Sequence, residues 1–134
     1  MSSELIASYY SAFNARDYAA LLALLSDDVV HDINQGGREL GRTAFASFLA
    51  RMDESYREQL VELVIMSDAS ETRFAVEFIV LGKYLKADVG LPPAHGQMYR
   101  LPAGAFLSVE NGKITRVTTY YNLQAWLAQV SGTA

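Results

Sequence analysis

Residues 72–86, TRFAVEFIVLGKYLK, decide the architecture. Phe74, Val76, Phe78, Val80 and Tyr84 fall on even positions, and Arg73, Ala75, Glu77 and Lys83 make up a mixed odd set. This is the period-two alternation of a strand with one face in a core and the other near water. Gly82 breaks the even series and reads as a bulge or bend. A strand this long must curve, and glycines at the bends allow it to.

Reading outward, the next segment, Asp88 to Gly96, holds Pro92-Pro93 and two glycines and is a loop. Gln97 to Val109 returns as a strand interrupted by Pro102 and Gly104, Asn111-Gly112 is the strongest hairpin signal in the chain, and Ile114 to Asn122 is the last strand. A short helix follows, with Leu123, Trp126, Leu127 and Val130 on its apolar side. On the other side of residues 72–86, Leu60 to Met66 is a strand rich in aliphatic residues that ends at Ser67-Asp68.

The N-terminal third has the helical period instead. Leu5, Ile6, Tyr9, Tyr10 and Phe13 share one face, with Ser2 or Ser3 as a cap. After the break at Asn14-Ala15-Arg16-Asp17, Asp17 caps a second helix that carries Tyr18, Leu21, Leu22 and Leu25 and stops at Ser26-Asp27-Asp28. A short strand, Val29 to Ile33, precedes the turn at Gln35-Gly36-Gly37, and Thr43 caps a third helix with Phe45, Phe48, Leu49 and Met52 on one stripe. Three helices followed by an antiparallel meander make an α+β domain spanning residues 1–134: a cone-shaped curved antiparallel sheet with three N-terminal helices on its concave face, the cystatin-like roll.

Composition narrows the function classes. The 134 residues fit one core, and 51% hydrophobic with 19% charged residues is an ordinary globular mixture. Fifteen acidic against eleven basic side chains leave a formal charge of -4, with no basic surplus for nucleic acid. There is no cysteine, so disulfides, thiolate metal sites and cysteine nucleophiles are excluded together. His31 and His95 stand far apart without partners at ligand spacing, so no metal site is expected. No apolar run is long enough for a membrane span and no basic leader opens the chain, so the expected setting is cytoplasmic.

Three stretches carry a family resemblance: Tyr9-Tyr10-Ser11-Ala12-Phe13-Asn14-Ala15-Arg16-Asp17, then Leu24-Leu25-Ser26-Asp27-Asp28-Val29-Val30-His31-Asp32, then Gly41-Arg42-Thr43-Ala44-Phe45. In this order they resemble the opening of the nuclear transport factor 2-like superfamily, and within it the ketosteroid isomerase-related and SnoaL-like polyketide cyclase branch. The resemblance covers nearly the whole chain and speaks for the fold more than for a function. It places the isomerase's general base at Asp32 and its oxyanion-hole tyrosine at Tyr9, five residues before Asn14. The isomerase's third group, a protonated aspartate, falls near Gly104, where Ala103, Gly104 and Ala105 offer no acid. The resemblance also implies a homodimer through the outer sheet face, in keeping with apolar residues on both alternating sets of Leu60 to Met66.

Each candidate has a functional and a plainer reading. Asp32 at the end of a strand entering an apolar cone would be raised in pKa and suited to a general base; otherwise it bonds the following turn. Tyr9 lies in an apolar helix stripe and either donates to an enolate oxygen or packs with its hydroxyl at the rim. If Asp32 faces the cavity, His31 faces the other way. Tyr120 is placed to supply the donor that Gly104 lacks, His95 sits in a loop able to cover a cavity mouth, and Arg100, like Glu77, either points outward or meets a polar ligand.

Three functions remain open. The first is a cofactor-independent isomerase or cyclase that removes a proton next to a carbonyl on an apolar small molecule. The second is a non-catalytic dimeric module that binds such a molecule. The third is an epoxide hydrolase-like enzyme, which would need a second acid and an arginine such as Arg100 or Arg116.

Overall fold

The computed structural model describes residues 2–131. The chain runs α1 (Ser2–Ala15), α2 (Tyr18–Ala23), β1 (Leu25–Ile33), β2 (Arg38–Leu40), α3 (Arg42–Ser55), β3 (Tyr56–Ser67), β4 (Arg73–Tyr84), β5 (Gln97–Glu110), β6 (Lys113–Tyr121) and α4 (Leu123–Ser131). The strands form one curled, unclosed sheet in the order β2-β1-β6-β5-β4-β3. The expected cone-shaped α+β fold is therefore present.

The local reasons are those the sequence carries. The Asp17 side chain accepts from the Ala20 N–H and starts α2. Asn111 (φ 52°) and Gly112 (φ 74°) turn the β5–β6 hairpin in the left-handed region that an Asn-Gly pair tolerates. Even positions of β4 point inward and meet odd positions of β5: Phe74 opposes Leu107, Val76 opposes Ala105, and Val80 opposes Leu101, all buried. Ile6, Leu21, Leu25, Val29 and Ile114 have no exposed surface and tie the N-terminal elements to this wall, each worth about 1.5–3 kcal/mol of burial.

Four details differ from the sequence reading. β1 begins at Leu25 rather than Val29, and it lies parallel to β6, with His31 opposite Val117. A three-residue strand, β2, returns from the glycine turn and pairs with β1. Gly41 (φ 97°), not Thr43, caps α3. β5 passes Pro102 and Gly104 without interruption, because Pro102 points to the outer face and Gly104 keeps its place opposite Glu77. The one interruption in the β3–β4 ladder is in β3, where Glu62 (φ 56°) sits between Val61 and Val64 as a bulge. Among the described residues, no helix is long and apolar enough to cross a membrane.

Candidate functional site

Inside the curl lies a cavity of about 500 Å³, walled by α1, α3 and the concave faces of β1, β3, β4, β5 and β6. Most of its wall is apolar, as in Phe78, Val80 and Leu101. Several polar side chains also enter, among them Arg16 and Tyr18 bonded to Asp53 and Tyr56 bonded to Asp88, and three further groups bear on the chemistry.

On the β3 wall, Glu58 faces the cavity. The Tyr99 hydroxyl donates to Glu58 Oε2 at 2.5 Å. Gly82 makes this possible. It lies between the two in the ladder, opposite Tyr99 on one side and Glu58 on the other. The tyrosine ring crosses the space where a side chain at position 82 would stand, since a Cβ there would fall on Cζ and Cε2 of Tyr99. Gly82 is thus a place of close approach and not a bend. Trp126 of α4 backs the Tyr99 ring, with centroids 6.0 Å apart. Burial raises the Glu58 pKa above its ordinary value, and the Tyr99 hydrogen bond opposes part of that rise. The carboxyl is half-buried because its open side meets the cavity instead of bulk water.

Above it, α1 brings in Tyr9. The Asn14 side chain pins this helix to β3, donating to the Leu60 carbonyl at 2.9 Å and accepting from the Leu60 N–H at 2.8 Å. Leu60 is two residues from Glu58 and on the same face, so this clasp fixes α1 over the acid. Tyr9 is buried, packs edge-on against Tyr10 with centroids 5.0 Å apart, and lines the cavity. Its pKa is raised by burial alone, so the hydroxyl stays protonated.

On the β1 wall the polar group is His31. Its ring lies 4.7 Å from Phe45 and 4.5 Å from Phe48 between centroids, and Nδ1 is buried without a hydrogen-bond partner. Burial lowers its pKa, opposed by the charges of Glu39 and Asp32 and reinforced by that of Arg51.

This placement corrects the expectation for Asp32. His31 and Val117 oppose one another on the concave face, and Asp32 shares the opposite face with Thr118, Arg116 and Arg38. Although Asp32 lies along the cavity wall, its carboxylate is turned away to accept from Arg38 Nε at 2.6 Å, Arg38 Nη2 at 3.1 Å and Arg116 Nε at 2.8 Å. The Arg38 hydrogen bond, followed by that of Arg116, holds its pKa down to about 2. A carboxylate so stabilised is a weak base, and it does not meet the Tyr9 hydroxyl across the cavity as expected.

The pairs imply a pH-dependent stability. Because the folded-state pKa lies below the ordinary 3.8, Asp32 stabilises the fold above that value and loses the contribution as pH falls towards 2. Asp32→Asn is expected to lower the thermal midpoint at pH 7 by about 3 °C, with the gap from the parent closing in scans near pH 2. An equal gap at both pH values would show that the effect is not ionic.

The other expected substrate contacts lie outside the cavity. Tyr120 is 46% exposed on the outer face, edge-on to Phe106. Arg100 is exposed on that face and lines a separate shallow hollow, 3.9 Å from Glu62, while its backbone is bound by the Gln129 side chain. His95 is exposed in its loop, its N–H bound by the Gln97 side chain. Glu77 opposes Gly104 on the outer face. Among the described residues, no three acidic or histidine side chains converge to hold a metal ion.

Sequence reasoning missed Glu58 because it left residues 53–59, DESYREQ, unassigned between the third helix and a strand starting at Leu60, whereas β3 already begins at Tyr56. Extending the alternation of Leu60 back through Glu58 to Tyr56 would have put the acid on the inner face.

Comparison with known proteins agrees with the fold. Residues 6–117 match the model of the SnoaL-like domain. A candidate polyketide cyclase from Pseudomonas putida KT2440 is 55% identical with a TM-score of 0.95, the match covering 97% of this chain and 98% of that one. Another, from Xanthomonas campestris pv. campestris, is 55% identical with a TM-score of 0.92, covering 96% and 95%. A Catenulispora acidiphila protein of ketosteroid isomerase-like fold, crystallised with trimethylamine, is 20% identical with a TM-score of 0.78, covering 96% and 92%, and supports the fold alone. None of the curated proteins matches the chain.

Proposed function

We propose, from the premise that this chain belongs to the SnoaL-like domain family, that it is an isomerase or cyclase transferring a proton next to a carbonyl on an apolar small molecule. The observation that carries this reading is the Glu58 carboxyl, set in an apolar cavity and held by the Tyr99 hydroxyl. A carboxylate with a raised pKa is a stronger base than one in water, and an apolar wall favours the neutral product of proton capture. Tyr9 supplies the donor for the oxygen on which charge develops. The proton leaves carbon for Glu58, the C–H electron pair moves into the enolate, and the oxygen takes a hydrogen bond from the Tyr9 phenol. An isomerase then returns the proton to another carbon; a cyclase lets the enolate carbon attack a second carbonyl, whose oxygen takes the proton. Asp32 is proposed as a stabilising ion-pair residue.

The epoxide hydrolase reading loses its arginines, since Arg100 and Arg116 stand on the outer face. The polyketide cyclase descriptions of the 55%-identical proteins support the cyclase form.

Deuterium exchange tests the reading. Small cyclic ketones such as 2-tetralone, held in D2O with the protein, should take up deuterium next to the carbonyl faster than in buffer. Ketones that bind without any acceleration would leave a binding module in place of an enzyme.

The homodimer is proposed on the outer sheet face, where Val64, Met66, Leu81, Met98, Phe106 and Tyr120 are exposed. Such a set on a free sheet face is what a partner would cover. Light scattering at micromolar concentration should give twice the mass of the 14.8 kDa chain; a stable single-chain mass would rule the dimer out.

A further inference from the structure

Three buried polar side-chain atoms among the described residues have no hydrogen-bond partner, Ser26 Oγ, His31 Nδ1 and Glu39 Oε1, and the last two lie together beside the cavity. They belong to residues directly opposite one another in the β1–β2 ladder, so their side chains share a face. Glu39 is held from behind by Arg51, whose Nη2 lies 3.6 Å from Oε2 and whose guanidinium sits over the Phe48 ring. His31 is 7% exposed and lines the cavity.

We propose that His31 is a recognition site for an acidic hydroxyl, the enol of a β-dicarbonyl or a phenol, on the cavity wall opposite Glu58. Nδ1 is enclosed by protein without a partner, so Nε2 is the ring nitrogen that a ligand can reach, and the neutral ring can accept a hydrogen bond there. An acceptor beside two phenylalanine rings selects a flat apolar molecule that carries a hydroxyl. The strand order sets the span: β1 and β3 are four strand steps apart, roughly 19 Å along the curled sheet and less across it. A ligand that reaches both His31 and Glu58 therefore has more than one ring or an extended chain. The depressed pKa of His31 supports the acceptor role, because the ring is neutral near pH 7. The charged groups that bear on it are Glu39 from β2, Asp32 from β1 and Arg51 from α3.

The inference rests on the cavity being the ligand site, and its test is kept separate from turnover. Binding of 2-naphthol and 2-methoxynaphthalene is compared by titration calorimetry at pH 7.5. The hydroxyl probe is expected to bind about tenfold more tightly, the worth of one hydrogen bond to a buried acceptor. His31→Phe should remove the preference and leave the methoxy probe within twofold. In the unaltered protein, the His31 Nε2 nitrogen resonance should move with 2-naphthol and not with its methyl ether, with His95 as the exposed reference. Glu39→Gln should lower the His31 titration midpoint, since it removes a charge that favours the imidazolium. Equal binding of the two probes, no binding of either, a preference that survives His31→Phe, an unmoved Nε2 resonance or an unmoved midpoint would each overturn the proposal. Glu58→Gln should not alter the preference. A preference that persists without deuterium exchange would sink the enzyme reading alone, and exchange without a preference would sink only this one.

Discussion

Glu58→Gln is expected to cut proton exchange on any ketone the protein turns over by a factor of about 10²–10⁴, the usual worth of a positioned acid or base. The amide keeps the shape and still accepts from Tyr99, so binding should change little and the loss should fall on kcat. Stability should move the other way. Burial raises the Glu58 pKa above the ordinary 4.5 in the folded protein, so the native state holds this proton more tightly than the unfolded chain does. Its ionisation thus destabilises the fold as pH rises through the raised value, and the contribution is most favourable below 4.5. Glutamine carries no such penalty. The variant should melt higher than the parent at pH 7, and the advantage should fade below the ordinary glutamate range. A residue that weakens the fold while serving the chemistry is what a functional acid looks like. A variant that melts lower at pH 7 and retains full exchange would identify Glu58 as a structural partner of Tyr99 and nothing more.

Gly82→Ala should produce the largest stability loss of any single methyl addition to β4. The new Cβ would overlap the ring and hydroxyl of Tyr99, and that ring cannot retreat freely because Trp126 packs against it. Overpacking of this kind costs about 1–3 kcal/mol, equivalent to several degrees in the melting midpoint of a chain this size. Displacing Tyr99 also removes the donor from Glu58, and without it the pKa of the acid rises further. The pH profile of exchange should shift upward along with the fall in stability. Tyr99→Leu in the same chain should recover part of the stability and none of the profile. Additive losses in the double variant would mean that the two positions do not meet as described.

The two variants also mark where the sequence ran out. The alternation of Phe74 through Tyr84, the Asn111-Gly112 turn and the Asp17 cap are local signals, and each produced its element. The facing of Asp32 was not legible, also for a local reason. Val29 and Val30 are both apolar, so the short strand has no alternation to fix which face turns inward, and a one-residue change of parity exchanges His31 for Asp32. The facing was decided by the parallel β1–β6 pair, between segments some eighty residues apart, and no local pattern encodes it. The burial of Tyr9 could be read because helical periodicity placed it on an apolar face. The Glu58–Tyr99 pair could not, since it depends on the exact register of three strands and on the absence of a side chain at Gly82.

The sheet does not close, and each of its two outermost strands has an edge that no further strand pairs, although Asn14 takes the Leu60 N–H and carbonyl on β3; such edges are templates for endless strand addition. Both are poor templates. β2 is three residues long and carries Arg38 and Glu39, while the bulge at Glu62 bends β3 away from a flat, pairable line. Short length, charge and a bulge are the features that discourage edge-to-edge polymerisation. A sheet left open over its cavity thus avoids becoming the seed of a fibril.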